Sequence, residues 1–257
     1  AASDVYKRQI LKNPARNLQI PQTEVKKRVA MDPEQIKLFM EYVRNSPQYS
    51  NTYPEFLFLF NTGVRVGEMA GLTWDNIDFE NNVITINKTV NRYRKKDFGF
   101  TVALASPKSR TSIRTFPMND EVRKMFLKEK FRDTPPAAPL PFVDDSGNIR
   151  RQVKNIVFSN SFGNAWNEPG FLCLINRIIE AYNREAEETK RKKLENFCPH
   201  MARHTYTSFA YSAGADVKAV SEILGHASTS VTLDTYAHLT DEKKRQQEEI
   251  VRAIKVL

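Results

Sequence analysis

A segment that is apolar on almost every side constrains the fold of this chain most strongly. Residues 54–62 (PEFLFLFNT) place five large apolar side chains in a row between polar ends. A helix with apolar residues all round must be covered by other elements, so we expect it to lie centrally. Gly63 follows the segment and can adopt the left-handed conformation that ends a helix. The end of this buried helix then places Arg65.

Capping signals and apolar stripes predict further helices around it. Asp32 and Pro33 form a helix start before a stripe of apolar residues, and Asn119 can cap another helix. Residues 171–182 carry a strong apolar stripe, and the charged run at 184–195 is typical of a solvated helix end or loop. Nearer the C-terminus, the sequence predicts helices at residues 201–213, 216–224, 230–239 and 241–256.

Three short segments have the alternation and β-branched content of strands. They are residues 83–86, 101–104 and 112–116, and we expect them to form one small antiparallel sheet. Residues 155–159 predict a further short strand, and the proline-rich residues 134–141 predict a surface loop. The predicted fold class is therefore α+β, mostly helical, with a small antiparallel β-sheet.

The charge balance favours a polyanionic partner. The chain has 39 Lys and Arg against 30 Asp and Glu, for a formal net charge of +9. Charge alone does not choose between DNA, RNA and an acidic membrane. The apolar runs are too short to span a bilayer and no signal-peptide pattern opens the chain, so we expect a protein of the cell interior, without a membrane partner.

Most of the candidate chemistry lies between residues 198 and 239. His200 and Arg203 are three apart and share one face of a helix, His226 follows a Leu-Gly pair, and Tyr236 comes ten residues later. Arginine offers a planar fork for two phosphate oxygens, imidazole can share a proton near neutral pH, and a tyrosyl oxygen can become a covalent nucleophile. The ligand that this set suggests is a phosphate.

These motifs resemble the second half of the tyrosine recombinase (phage integrase) catalytic domain, with its His-x-x-Arg, Leu-Gly-His and Tyr signatures. Upstream, TGVRVGE at residues 62–68 resembles the family's first-arginine motif, and SPKS at 106–109 resembles its hairpin lysine. The resemblance runs from about residue 14 to residue 239, and among family branches it is greatest to integrases of conjugative transposons. It implies the tyrosine recombinase catalytic-domain fold.

The resemblance also implies a role for each matching residue. Tyr236 would attack the phosphorus, and Arg65 and Arg203 would clamp the phosphate. His200 would be a general base or phosphate donor, and His226 would hydrogen-bond the phosphate. Two further residues complete the set: Lys108 as the general acid for the 5′ oxygen, and Glu68 as the group that orients Arg65. Apart from the resemblance, the basic residues Lys108 and Arg110 could simply touch backbone phosphates, and Arg110 is counted among the DNA-binding residues.

A basic run with an aromatic neighbour lies beside the predicted hairpin. Arg94, Lys95 and Lys96 belong to it, and they suggest a patch that contacts the DNA backbone.

By the same resemblance, the chain would carry out site-specific recombination for integration and excision of a mobile element in a bacterial cytoplasm. Residues 1–29 would be the end of a core-binding domain and a linker, residues 30–240 the catalytic domain, and residues 241–257 a helix exchanged between protomers. A helical clamp domain is expected before the first residue. Four protomers would assemble on double-stranded DNA, bound at the nucleoid, with no metal or nucleotide cofactor.

Three other functions fit part of the sequence. Cys198, His200 and His204 could be ligands of a zinc-dependent hydrolase, although a fourth ligand and a general-base carboxylate are not evident. A DNA-binding module without catalysis would need only the basic surface. A type IB topoisomerase-like strand transferase would share the covalent chemistry but not the integrase spacing.

Overall fold

The computed structural model describes residues 30–94, 100–107, 112–131, 137–144 and 148–225, with the side chain of Arg94 excepted. The helices of this part are α1 (Pro33–Asn45), α2 (Tyr53–Thr62), α3 (Val66–Ala70), α4 (Asp120–Lys130), α5 (Glu168–Glu188), α6 (Pro199–Ser212) and α7 (Val217–Leu224). The strands are β1 (Ile77–Asp78), β2 (Val83–Ile86), β3 (Thr89–Arg94), β4 (Phe100–Ala105), β5 (Arg114–Pro117), β6 (Leu140–Val143) and β7 (Ile149–Val153).

The predicted helix ends are confirmed by the contacts that make them. The Asp32 side chain accepts a hydrogen bond from the Glu34 N–H, and the Asn119 side chain accepts one from the Val122 N–H. Gly63 has φ +63°, and its N–H donates to the Leu59 carbonyl. A side chain on Gly63 would meet Tyr206 and Leu224 at under 3 Å, so the glycine is required both for its backbone angle and for close packing.

Helix α2 lies at the centre of the hydrophobic core, as its apolar surface predicts. Phe56, Phe58 and Leu59 are each at most 2% exposed. The Phe56 ring packs against Phe39 of α1 and Phe171 of α5. Helix α2 packs most extensively against α6 and also contacts α1 and α4, and Thr62 at its C-terminal end is buried.

The strands form two sheets rather than the single small sheet that we expected. One sheet is antiparallel, in the order β1-β2-β5, with Ile84 opposite Phe116. The other has the order β3-β4-β6-β7, and β4 and β6 run parallel with Leu104 opposite Phe142. The predicted segment at 101–104 therefore belongs to a different sheet from those at 83–86 and 112–116.

Two smaller predictions also change. Leu140 and Pro141, expected in a surface loop, begin β6. The segment at 155–159 makes isolated bridges, Thr73 with Ile156 and Ser159 with Ala165, instead of a full strand. Helix α5 ends at Glu188, within the charged run, so the prediction of a solvated helix end or loop for this run is confirmed.

Several predictions fall on residues outside the described ranges. They concern the linker at 1–29, the helices at 230–239 and 241–256, and the second half of the basic patch. Within the described residues, we find no helix with the length and hydropathy needed to cross a bilayer.

Candidate active site

Arg65 stands at the junction between α2 and α3. It directly precedes α3 with an extended backbone, and its N–H donates to the Glu68 Oε2 at 3.0 Å. Its guanidinium Nη1 donates to the Glu68 Oε1 at 2.8 Å, while 38% of the side chain stays exposed to solvent. One carboxylate therefore holds both the backbone and the guanidinium of Arg65.

A close approach of α3 to β3 forms one wall beside Arg65. A Cβ on Gly67 would lie 2.7 Å from the Thr89 Oγ1 and 2.9 Å from the Val90 carbonyl oxygen. Because the second of these atoms is backbone, it cannot move aside cheaply. Only glycine lets the turn that carries Arg65 sit this close to the sheet.

Glu68 is buried between two arginines, one of which the sequence did not suggest. The Arg114 Nη1 and Nη2 donate to the Glu68 Oε1 at 3.1 Å and Oε2 at 2.8 Å. Burial raises the pKa of Glu68, but the hydrogen bonds and charges of Arg114 and Arg65 outweigh it, so the pKa lies below its ordinary value. The carboxylate is therefore charged near neutral pH and can accept from both guanidinium groups.

His200 and Arg203 share a face of α6, as their spacing predicts. Cys198 precedes the helix and Pro199 is its first residue, so His200 lies in the first turn. The His200 Nδ1 lies 3.5 Å from the Glu168 Oε1 at the start of α5. No motif pointed to Glu168, which can orient the imidazole ring from a distant part of the chain.

Arg203 is buried and bridges two helix ends. Its Nη1 donates to the Gly63 carbonyl at 2.9 Å, and its Nη2 donates to the Leu224 carbonyl at 2.6 Å. Gly63 follows α2 and Leu224 ends α7, where carbonyls lack partners within the helix. These bonds set the plane of the guanidinium and tie Arg203 to the turn that carries Arg65.

A single cavity brings three of the predicted residues together. It has a volume of about 190 Å³, and Arg65, His200 and Arg203 line it. Its other walls come from the α2–α3 turn, the start of β3 and the first residue of α5. Two guanidinium groups and an imidazole around one cavity can bind a phosphate and stabilise added charge on its oxygens.

The remaining predicted residues have no described position. Lys108, Arg110, Lys95, Lys96, His226 and Tyr236 lie outside the described ranges, and Arg94 is described only as the last residue of β3. Helix α7 ends at Leu224, whose carbonyl accepts from Arg203, and Gly225 follows with φ +67°. His226 is the next residue in the sequence.

The ligand set of the zinc alternative does not come together. In the part of the chain that the structure describes, no three His, Cys, Asp or Glu side chains are grouped as metal ligands. Cys198, His200 and His204, all described, therefore do not form such a group.

Comparison with known proteins agrees with this geometry. Residues 30–243 match the family model described as the phage integrase family. The transposase from transposon Tn916 of Enterococcus faecalis is 27% identical over 234 residues, which are 87% of this chain and 54% of that protein. A tyrosine recombinase XerC-like protein of Caldanaerobacter subterraneus subsp. tengcongensis is 29% identical over 196 residues, 74% of this chain and 46% of that protein. The chain thus spans about half the length of these curated relatives.

A solved structure shares the fold over nearly the whole chain. It is that of the Tn1549 transposon integrase in complex with a circular intermediate DNA, at a TM-score of 0.75 and 26% sequence identity. The likeness covers 97% of this chain and 75% of that one.

Proposed function

Because the chain belongs to the phage integrase family, we propose that it is the catalytic part of a site-specific DNA recombinase. It would cut and rejoin DNA during integration and excision of a mobile element. The observation that carries the proposal is the cavity where Arg65, His200 and Arg203 meet, because it suits a phosphodiester with charge building on its oxygens.

The proposed reaction exchanges one phosphodiester bond for another. The Tyr236 hydroxyl oxygen attacks the phosphorus and loses its proton, with His200 as the base, while the bond to the 5′ oxygen breaks. Lys108 gives a proton to the departing 5′ oxygen. Arg65, Arg203 and His226 donate hydrogen bonds to the non-bridging oxygens, and the 3′-phosphotyrosine keeps the bond energy for rejoining.

The relatives support a DNA substrate that belongs to a mobile element. The Tn1549 integrase was solved with a circular intermediate DNA, and the transposase from Tn916 is named for a transposon. Their chemistry would apply here to double-stranded DNA in a bacterial cytoplasm, at the nucleoid. Arg94, Lys95, Lys96 and Arg110 would contact backbone phosphates, and the salt dependence of binding would report them.

Covalent trapping tests the proposed reaction. The probe is a duplex that carries a relative's attachment site, nicked close to the scissile phosphate so that the cut fragment diffuses away and rejoining stops. We expect an adduct of protein and DNA that survives denaturation and forms equally well in excess EDTA. Binding without any adduct would indicate a DNA-binding module, and free cleaved ends that EDTA suppresses would indicate the zinc hydrolase.

A second part of the proposal is a tetramer on two DNA sites, joined through residues 241–257. This C-terminal segment carries a sparse apolar stripe that one neighbouring surface can bury. We expect deletion of residues 241–257 to weaken pairing of two DNA sites more than binding of one site. Sedimentation of the complexes measures both, and equal loss of the two would contradict an exchanged helix.

A further inference from the structure

Arg114 is a buried arginine at the meeting point of three segments. It is the first residue of β5, and its side chain is 6% exposed. Besides its two bonds to Glu68, its Nη1 donates to the Ser112 carbonyl at 3.0 Å and its Nε donates to the Ile223 carbonyl. It therefore connects Ser112, which lies just before β5, the carboxylate that holds Arg65, and the C-terminal turn of α7.

We propose that Arg114 is a positioning residue for DNA cleavage, which orients Arg65 through Glu68 and holds the C-terminal turn of α7 through the Ile223 carbonyl. This inference rests on the proposed recombinase function.

The shape of the Glu68 site explains why an arginine is needed there. Both carboxylate oxygens accept from Arg114, and both also accept from Arg65, one from its backbone and one from its guanidinium. Arg114 thereby fixes the plane of the Glu68 carboxylate, and the carboxylate in turn fixes the orientation of the Arg65 guanidinium. A lysine has a single ammonium group in place of the fork and cannot hold two carboxylate oxygens and a carbonyl in one plane.

The end of α7 receives bonds from both buried arginines. Arg114 donates to the Ile223 carbonyl, and Arg203 donates to the next carbonyl, that of Leu224. These are carbonyls of the last turn, which have no partner within the helix, and a positive charge is favourable there. The two buried arginines therefore both hold the C-terminal turn of α7.

The first test compares Arg114→Lys with a matched Arg→Lys change elsewhere. Arg191 is exposed beyond the C-terminal end of α5, at the opposite end of that helix from Glu168, which lines the cavity. We expect Arg114→Lys to lower the single-turnover cleavage rate by about 10- to 100-fold, with DNA affinity changed less than about twofold. Arg191→Lys should change neither quantity. A folded Arg114→Lys protein that cleaves at the wild-type rate would overturn the inference.

A neutral substrate separates a positioning role from a merely structural one. In a methylphosphonate, a methyl group replaces one non-bridging oxygen, so less charge builds up and the arginines contribute less. We expect the rate deficit of Arg114→Lys to shrink to under about threefold on this substrate, as it should for Arg65→Lys. An equal deficit on phosphate and methylphosphonate would sink the positioning role.

A second variant and an NMR measurement test the inference if Arg114→Lys does not fold or if the wild-type protein does not cleave DNA. If Arg114→Lys does not fold, Glu68→Gln takes its place, since it breaks the same link, and the same contrast between the two substrates is expected. The NMR signal of the Arg65 side-chain Nε–H, identified with Arg65→Lys, needs no cleavage. A signal shifted in the Arg114 or Glu68 variant but not in Arg191→Lys supports the link even if the wild-type protein forms no adduct, in which case only the recombinase function falls. An unshifted signal overturns the inference.

Discussion

Replacing Arg203 with lysine is expected to lower the DNA cleavage rate by about 10³-fold, a loss typical of removing an arginine that stabilises a phosphoryl transition state. The side chain lines the cavity from a buried position, 7% exposed, and two carbonyls fix its plane. A lysine ammonium can keep the charge but cannot bond the Gly63 and Leu224 carbonyls while facing a phosphate. In the variant, the side chain at position 203 should therefore lose its fixed orientation toward the phosphate as well as its hydrogen bonds to the two carbonyls.

The same change should reduce stability. A buried carbonyl left without a donor costs about 1–3 kcal/mol, so the melting temperature should fall as well. Single-turnover cleavage below the melting temperature of the variant separates the two effects, with Arg191→Lys as the control. Cleavage within about threefold of wild type would show that Arg203 is a structural bridge between α2 and α7 and not a phosphate ligand.

Local sequence signals predicted the frame of the site. The helix caps are examples, because each depends only on residues within a few positions and can be predicted from the sequence. They are the N-caps Asp32 and Asn119 and the helix end at Gly63. The predicted tyrosine recombinase catalytic-domain fold is confirmed by the TM-score of 0.75 with the Tn1549 transposon integrase. The i, i+3 spacing of His200 and Arg203 predicted one helical face, and both residues line the cavity.

The second sheet was missed because its edge strands lack an apolar pattern. Strand β3 reads TVNRYR and β7 reads IRRQV, and four residues of β7 are exposed. Most of β7 is exposed and β3 contributes Val90 to the core, so neither strand carries the run of alternating apolar residues that reveals a strand. The basic character of β3 suggested a DNA contact and concealed its pairing with β4.

Arg114 was missed for a different reason. It points inward on β5, at a position where alternation predicts an apolar residue, and a buried arginine has meaning only with its partner. That partner is Glu68, 46 residues away, and the two other contacts are carbonyls of Ser112 and Ile223. The sequence around β5 gives no sign of this network, because Glu68 and Ile223 lie in distant segments of the chain.

The largest expected effect is that of Tyr236→Phe, which should reduce covalent adduct formation by at least about 10⁴-fold because removal of a nucleophile ends the reaction path. Since only one hydroxyl is lost, DNA affinity should stay unchanged in a binding assay on the same duplex. The matched control is Tyr206→Phe. Tyr206 lies on α6 three residues after Arg203 and close to Gly63, which makes it a described tyrosine beside the cavity turn.

Burial raises the pKa of Tyr206, so its hydroxyl is harder to deprotonate and is a poorer nucleophile than an exposed phenol. We therefore expect Tyr206→Phe to form the adduct at close to the wild-type rate. Tryptic mapping of the trapped complex should place the DNA on the peptide that contains Tyr236. An adduct that persists in Tyr236→Phe and disappears in Tyr206→Phe would identify Tyr206 on α6 as the nucleophile. That result would contradict the proposal that the segment after α7 supplies the attacking oxygen.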